Sequence, residues 1–133
     1  MANRIFLIVW IVAWIPFGLY CFFVPGSLQE AAGVKAVTET GTTDLRAMYG
    51  GLQIAIGMLA VLALRDEARV RSTLLTLVVL VGGIGIARVL GTLLDGNTST
   101  FTLGAAAFEF AAAAWAGWLR SRTGAQAPSP TPG

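Results

Sequence analysis

From Ile5 to Gln29 the chain carries no charged residue, and two further uncharged intervals run from Ala47 to Leu64 and from Ser72 to Ala87. About 20 apolar residues in helical form cross a hydrocarbon core roughly 30 Å thick. Intervals of this length recurring through a chain of 133 residues leave no room for an ordinary soluble core. Composition agrees: 56% of residues are hydrophobic and 12% charged, where soluble domains carry about a quarter charged residues. The expected fold is all-α, an integral membrane four-helix bundle.

Local signals divide the chain into one four-span domain over residues 1–122, with spans at about 5–25, 45–64, 73–94 and 101–119. The first interval is longer than the apolar part of a signal peptide, about 7–15 residues, and carries Trp10, Trp14 and Pro16, so an uncleaved first span is expected. Pro16 lacks an N–H and should kink that span, most simply to improve packing. Pro25-Gly26 ends it. Ser27 and Glu30 have the spacing of a capping box, which predicts a short external surface helix over 28–37. Thr43 or Asp44 is placed to cap the second span. The tight charged segment 65–71 separates spans two and three, and Asp95-Gly96-Asn97 forms the turn before span four. Residues 123–133, rich in Pro, Ala, Ser and Thr, read as a disordered tail.

With four spans, Arg4, Arg65, Arg69, Arg71, Arg120 and Arg122 fall on one side and only Lys35 and the span-edge Arg46 on the other. The positive-inside rule then puts both termini and the tail in the cytoplasm, with segments 27–44 and 95–100 external, for a protein of the cytoplasmic membrane. Trp10 and Trp118 are expected as interfacial anchors near the cytoplasmic span ends. A net charge of +2, from basic residues at span ends, gives no reason to expect a nucleic-acid partner. With no histidine and a single cysteine, Cys21, a soft-metal site, a haem site and a Ser–His or Cys–His pair are not expected, nor is a cofactor.

Three charges interrupt the apolar runs: Arg46, Arg88 and Glu109. At helical spacing Arg46, Gly50, Gln53 and Gly57 share one stripe. Arg88 lies seven residues before Asp95 and Glu109 eight past Phe101, which at 1.5 Å per residue puts both on the order of 10 Å below the outer boundary. A lone charge at that depth costs several kcal/mol, so Arg88 and Glu109 should turn inward and pair. Arg46, Tyr49, Gln53, Arg88, Asp95 and Glu109 form the expected polar cluster, a ligand site or a structural clasp; Arg88 could also snorkel outward. Gly50, Gly51, Gly57, Gly85 and Gly91 are expected to serve helix packing, since small residues let membrane helices approach closely. Glycine runs here have membrane-helix flanks, so no phosphate loop is expected.

The segment Thr43-Asp44-Leu45-Arg46-Ala47-Met48-Tyr49-Gly50-Gly51 with Gly57, then Arg88-Val89-Leu90-Gly91 with Asp95-Gly96, then Glu109, resembles the bacterial four-helix membrane family catalogued as domain of unknown function 4345. The resemblance extends to about Arg120 and implies a bacterial-type integral membrane protein without an established activity. The functional expectation is a non-enzymatic protein that binds a lipid or small anionic amphiphile at an outer-leaflet polar site, or docks a membrane partner or a second copy there. The alternatives are a small dimeric transporter or proton-coupled carrier using Glu109, and a lipid-modifying enzyme with Glu109 as general base.

Overall fold

The computed structural model of the chain describes residues 1–96 and 98–124. Helix α1 covers Ala2–Phe23 and α2 covers Ser27–Ala32. Helix α3, Glu39–Leu45, runs through a wide π turn, Arg46–Gly51, into α4, Leu52–Arg65. A 3₁₀ turn at Glu67–Arg69 leads into α5, Val70–Asp95, and α6 spans Thr100–Gly124. No strand occurs among the described residues.

Three helical stretches are long and apolar enough to cross a membrane: Ala2–Phe23, Glu39–Arg65 and Glu67–Asp95. Helix α6 is long enough, at 25 residues, but Glu109, its glycines and two tryptophans dilute its apolarity. Large apolar side chains cover the outside of the molecule, among them Ile8, Val12, Val79, Ile86 and Leu90, each at least half exposed. A soluble monomer rarely leaves so much contiguous apolar surface open. The chain is that of a membrane protein.

Several boundaries differ from the sequence expectation, each for a local reason. Gly26 precedes α2, and the Ser27 hydroxyl donates to the Val24 carbonyl at 2.8 Å, so the Ser27–Glu30 capping box does not form. Helix α2 stops at Ala32 rather than near 37 because Gly33 adopts φ 70°, and the Gly33 and Val34 N–H groups turn back to the Gln29 and Leu28 carbonyls. That is a glycine-terminated helix end. The cap of the second long helix is Thr38, not Thr43 or Asp44: its Oγ1 accepts the Gly41 N–H at 3.0 Å, so the helix starts several residues early. At the far end α6 continues through Gly124, past the expected boundary at 122; the remainder of the expected tail, from residue 125, lies outside the described residues.

All four long helices contribute to one apolar core. Phe6, Leu7, Trp10 and Trp14 of α1 meet Ile56, Ala60 and Ala63 of α4, Leu74, Leu77 and Val81 of α5, and Ala112, Ala116 and Leu119 of α6. Trp10, 3% exposed, stacks between Phe6 and Trp14 at centroid distances of 5.4 and 5.1 Å. It is a core residue and not the expected interfacial anchor. Trp118 does stay at the surface, with the Arg122 guanidinium 4.4 Å from its ring centroid.

This core lies toward the end of the molecule where α1 begins and α6 finishes. Toward the other end the helices pack as two pairs joined by small residues. Helix α1 presses on the π turn and α4: a Cβ on Gly18 would stand 2.9 Å from the Gly50 carbonyl, and one on Gly50 2.9 Å from Phe22 Cα. A Cβ on Gly57 would meet Ile15. Helix α5 presses on α6, with Gly85 facing Glu109 and Phe110. In lipid, where apolar contact gains little over the solvent, such close backbone approach is what holds helices together.

Candidate functional site

Arg88 extends from α5 and Glu109 from α6, and the two meet in a fork. Arg88 Nε donates to both carboxylate oxygens, at 3.1 and 3.0 Å, and Nη2 donates to Oε1 at 2.7 Å. Bidentate guanidinium–carboxylate contacts are stronger and more directional than neutral hydrogen bonds. Gly85 makes the fork reachable: lying one turn before Arg88, it brings the α5 backbone against Glu109, where a Cβ would sit 3.3 Å from Glu109 Cβ. Thr92 ties its hydroxyl to the Arg88 carbonyl at 2.9 Å, removing a polar group from lipid.

The two partners are unequally covered. The Glu109 side chain is 7% exposed and the Arg88 side chain 29%. Both carboxylate oxygens are occupied, whereas Arg88 Nη1 has no hydrogen bond to the described residues. The pair therefore has a closed anionic half and a partly open cationic half.

Of the remaining residues expected in the cluster, Tyr49 is within electrostatic range of Arg88 from the wide turn. That turn is closed by a bond from the Leu52 N–H to the Ala47 carbonyl, one residue longer than an α turn. Single wide turns of this kind recur at functional positions in helices. Gln53, one turn further on, is half-buried, and its Oε1 is buried without a hydrogen-bond partner among the described residues.

Arg46 does not join the pair. Its Nε donates to the Phe22 carbonyl at 3.1 Å, at the C-terminal end of α1. A cation there satisfies an orphan carbonyl and opposes the negative end of the helix dipole. The stripe of Arg46, Gly50 and Gly57 thus faces α1 rather than the Arg88–Glu109 pair. Asp95 also stays apart: it is exposed at the last position of α5 and makes no ion pair among the described residues. The glycines separate in the same way. Gly50, Gly57 and Gly85 are at close approaches, but Gly51 has nothing nearer than the Arg46 carbonyl at 3.9 Å, and Gly91 has nothing within 4 Å. Gly18 is a packing position that the charge-centred reading passed over; a lone glycine among bulky residues in the first span was its only signal.

Among the described residues no group of three or more Cys, Asp and Glu side chains could hold a metal. These features define a class: a small all-helical membrane protein with an Arg–Glu fork between neighbouring helices. Residues 2–120 match the family described as Domain of unknown function (DUF4345), and the chain belongs to that family. No curated protein and no solved structure matches the chain.

Proposed function

We propose that this is a four-span protein of the cytoplasmic membrane, both termini inside, that holds an anionic lipid headgroup or small anionic amphiphile at Arg88 in the outer leaflet. One observation carries the reading: Glu109 is closed off while Arg88 keeps an open Nη1 face, so the pair offers donors and no acceptor. Tyr49, on the wide turn, lies within electrostatic range of Arg88 and adds a polar hydroxyl. Helix α6 supplies the fourth span, with Glu109 neutralised by its partner so that its depth is tolerable. Both Glu109 oxygens accept from Arg88, which favours a static pair over a proton carrier or a general base and keeps the non-enzymatic reading ahead.

Native mass spectrometry of the detergent-purified full chain tests this. The wild type should retain phosphatidylglycerol in preference to phosphatidylcholine. Arg88→Lys keeps one positive charge but cannot hold Glu109 through a fork and still present a free donor face, so it should insert normally and lose the preference. Equal retention by wild type and variant refutes the proposal. Reporter fusions at both ends check the orientation, and an external terminus would overturn that part.

A further inference from the structure

A second polar site lies at the opposite end of the helices. A cavity of about 260 Å³ opens there between the start of α1, the end of α4, the 3₁₀ turn and the end of α6. Its walls combine apolar Met1, Leu7, Ala63, Leu64 and Val70 with polar Asn3, Arg4, Glu67 and Thr123. The size is just below the roughly 300–1,000 Å³ of sites for drug-sized ligands, which suits a headgroup rather than a whole metabolite.

Two exposed side chains of opposite charge border this cavity. Arg4 and Glu67 line the same space, yet among the described residues neither has an ion-pair or side-chain hydrogen-bond partner. Glu67's neighbours are already engaged with each other: Asp66 accepts from Arg69 Nε at 2.9 Å and from the Ala68 N–H at 3.1 Å. Asn3 uses its Nδ2 to bind Thr123 Oγ1 at 3.0 Å, which closes α1 onto α6 at the rim and leaves Oδ1 as an acceptor. A cation and an anion that share a cavity without meeting fit a molecule carrying both charges, and the apolar wall fits one that also carries a chain.

We infer that this cavity binds the phosphoethanolamine headgroup of a phospholipid, with Arg4 donating to the phosphodiester and Glu67 and Asn3 Oδ1 accepting from the ammonium. The inference rests on the membrane reading of the fold, not on the Arg88 site. Glu67 sets the selectivity. A primary ammonium offers it N–H donors; a choline head offers none. A glycerol head has no positive charge to meet it. Arg65, Arg71, Arg120 and Arg122 at the same end attract any anionic lipid without preference for headgroup, so the diagnostic quantity is discrimination rather than total binding.

The test uses the full chain in nanodiscs of phosphatidylcholine doped with either phosphatidylethanolamine or phosphatidylglycerol, read by native mass spectrometry and thermal unfolding. Because the outer site is expected to take phosphatidylglycerol, the readings are made in the Arg88→Lys background as well. In that background the ethanolamine lipid should be held about tenfold more tightly than the other two, the ratio of one charge-assisted hydrogen bond. Arg4→Gln should remove the retention. Glu67→Gln should abolish the preference over choline and move selectivity toward the glycerol lipid, which a merely structural role at this exposed turn would not do. Equal retention of all three lipids by the parent, or an unchanged ethanolamine preference in Glu67→Gln, overturns the inference. Stabilisation by free phosphoethanolamine equal to that by the lipid would show a soluble ligand and overturn the lipid assignment.

Discussion

Removing either half of the Arg88–Glu109 fork should have unequal effects, and the inequality follows from the geometry. Arg88→Leu leaves the Glu109 carboxylate, 7% exposed, with none of the three N–H contacts it now accepts. Stranding a buried charge costs about 3–5 kcal/mol in soluble proteins. The membrane reference state also finds partners for polar groups, so the lower end, about 3 kcal/mol, applies here. Glu109→Gln differs: the amide oxygen still accepts from the guanidinium, and Arg88, 29% exposed, has a route by which to lift its charge toward the interface. Its cost should be near that of one membrane hydrogen bond, about 1 kcal/mol. Combining the two, Arg88→Leu with Glu109→Gln, leaves no buried charge stranded and should cost less than Arg88→Leu alone, a coupling on the order of 2 kcal/mol. Reversible unfolding in mixed dodecyl sulfate micelles measures all three. Equal costs for the single variants, or a double variant that equals their sum, would refute the argument that burial of Glu109 dominates.

Gly18→Ala and Gly50→Ala each place a methyl 2.9 Å from backbone atoms of the neighbouring helix, which a side-chain rotation cannot relieve. Each should lower stability in the same unfolding assay by about 1–3 kcal/mol, whereas Gly91→Ala, with nothing within 4 Å, should be neutral or slightly stabilising. Asp66 is held below its ordinary value of 3.8, first by the Arg69 hydrogen bond and then by the Ala68 N–H. A depressed carboxylate contributes above its unfolded value and loses that contribution as pH falls through the folded one. Amide exchange in the 66–71 turn should therefore be independent of Asp66 charge between pH 5 and 8 and loosen only below about pH 3.8, and Asp66→Asn should remove that acid step. An acid step that persists in the variant would assign it to another group.

Much of the segmentation was legible because membrane insertion is scored residue by residue. The charged segment at 65–71, the Asp95-Gly96 turn and the apolar runs between them mark where the long helices lie, since each residue's transfer free energy acts wherever its neighbours go. But the second begins at Glu39 rather than 45, and the last continues to Gly124 rather than 119. Helix ends were less legible. Thr38, Thr43 and Asp44 are all competent caps, and only the Thr38 hydrogen bond to Gly41 selects among them.

The sequence by itself made an Arg88–Glu109 pair the expected way to satisfy two charges that interrupt apolar runs, with outward snorkelling of Arg88 as the other way, and the fork between α5 and α6 decides for the pair. It did not determine which helices the other polar residues address. Arg46 had two ways to be satisfied, a distant carboxylate or the open carbonyls ending α1, and the close packing of Gly50 on Phe22 brings the carbonyl within 3.1 Å. Trp10 could have anchored at an interface, but the rotation of α1 that seats Gly18 on Gly50 also turns Trp10 into the core. The Arg4–Glu67 cavity joins residues from opposite ends of different helices, and no spacing in the chain announces it. Helix rotation and neighbour choice are settled by the fit of small residues across an interface, which is a property of pairs of helices and only exists once they are packed.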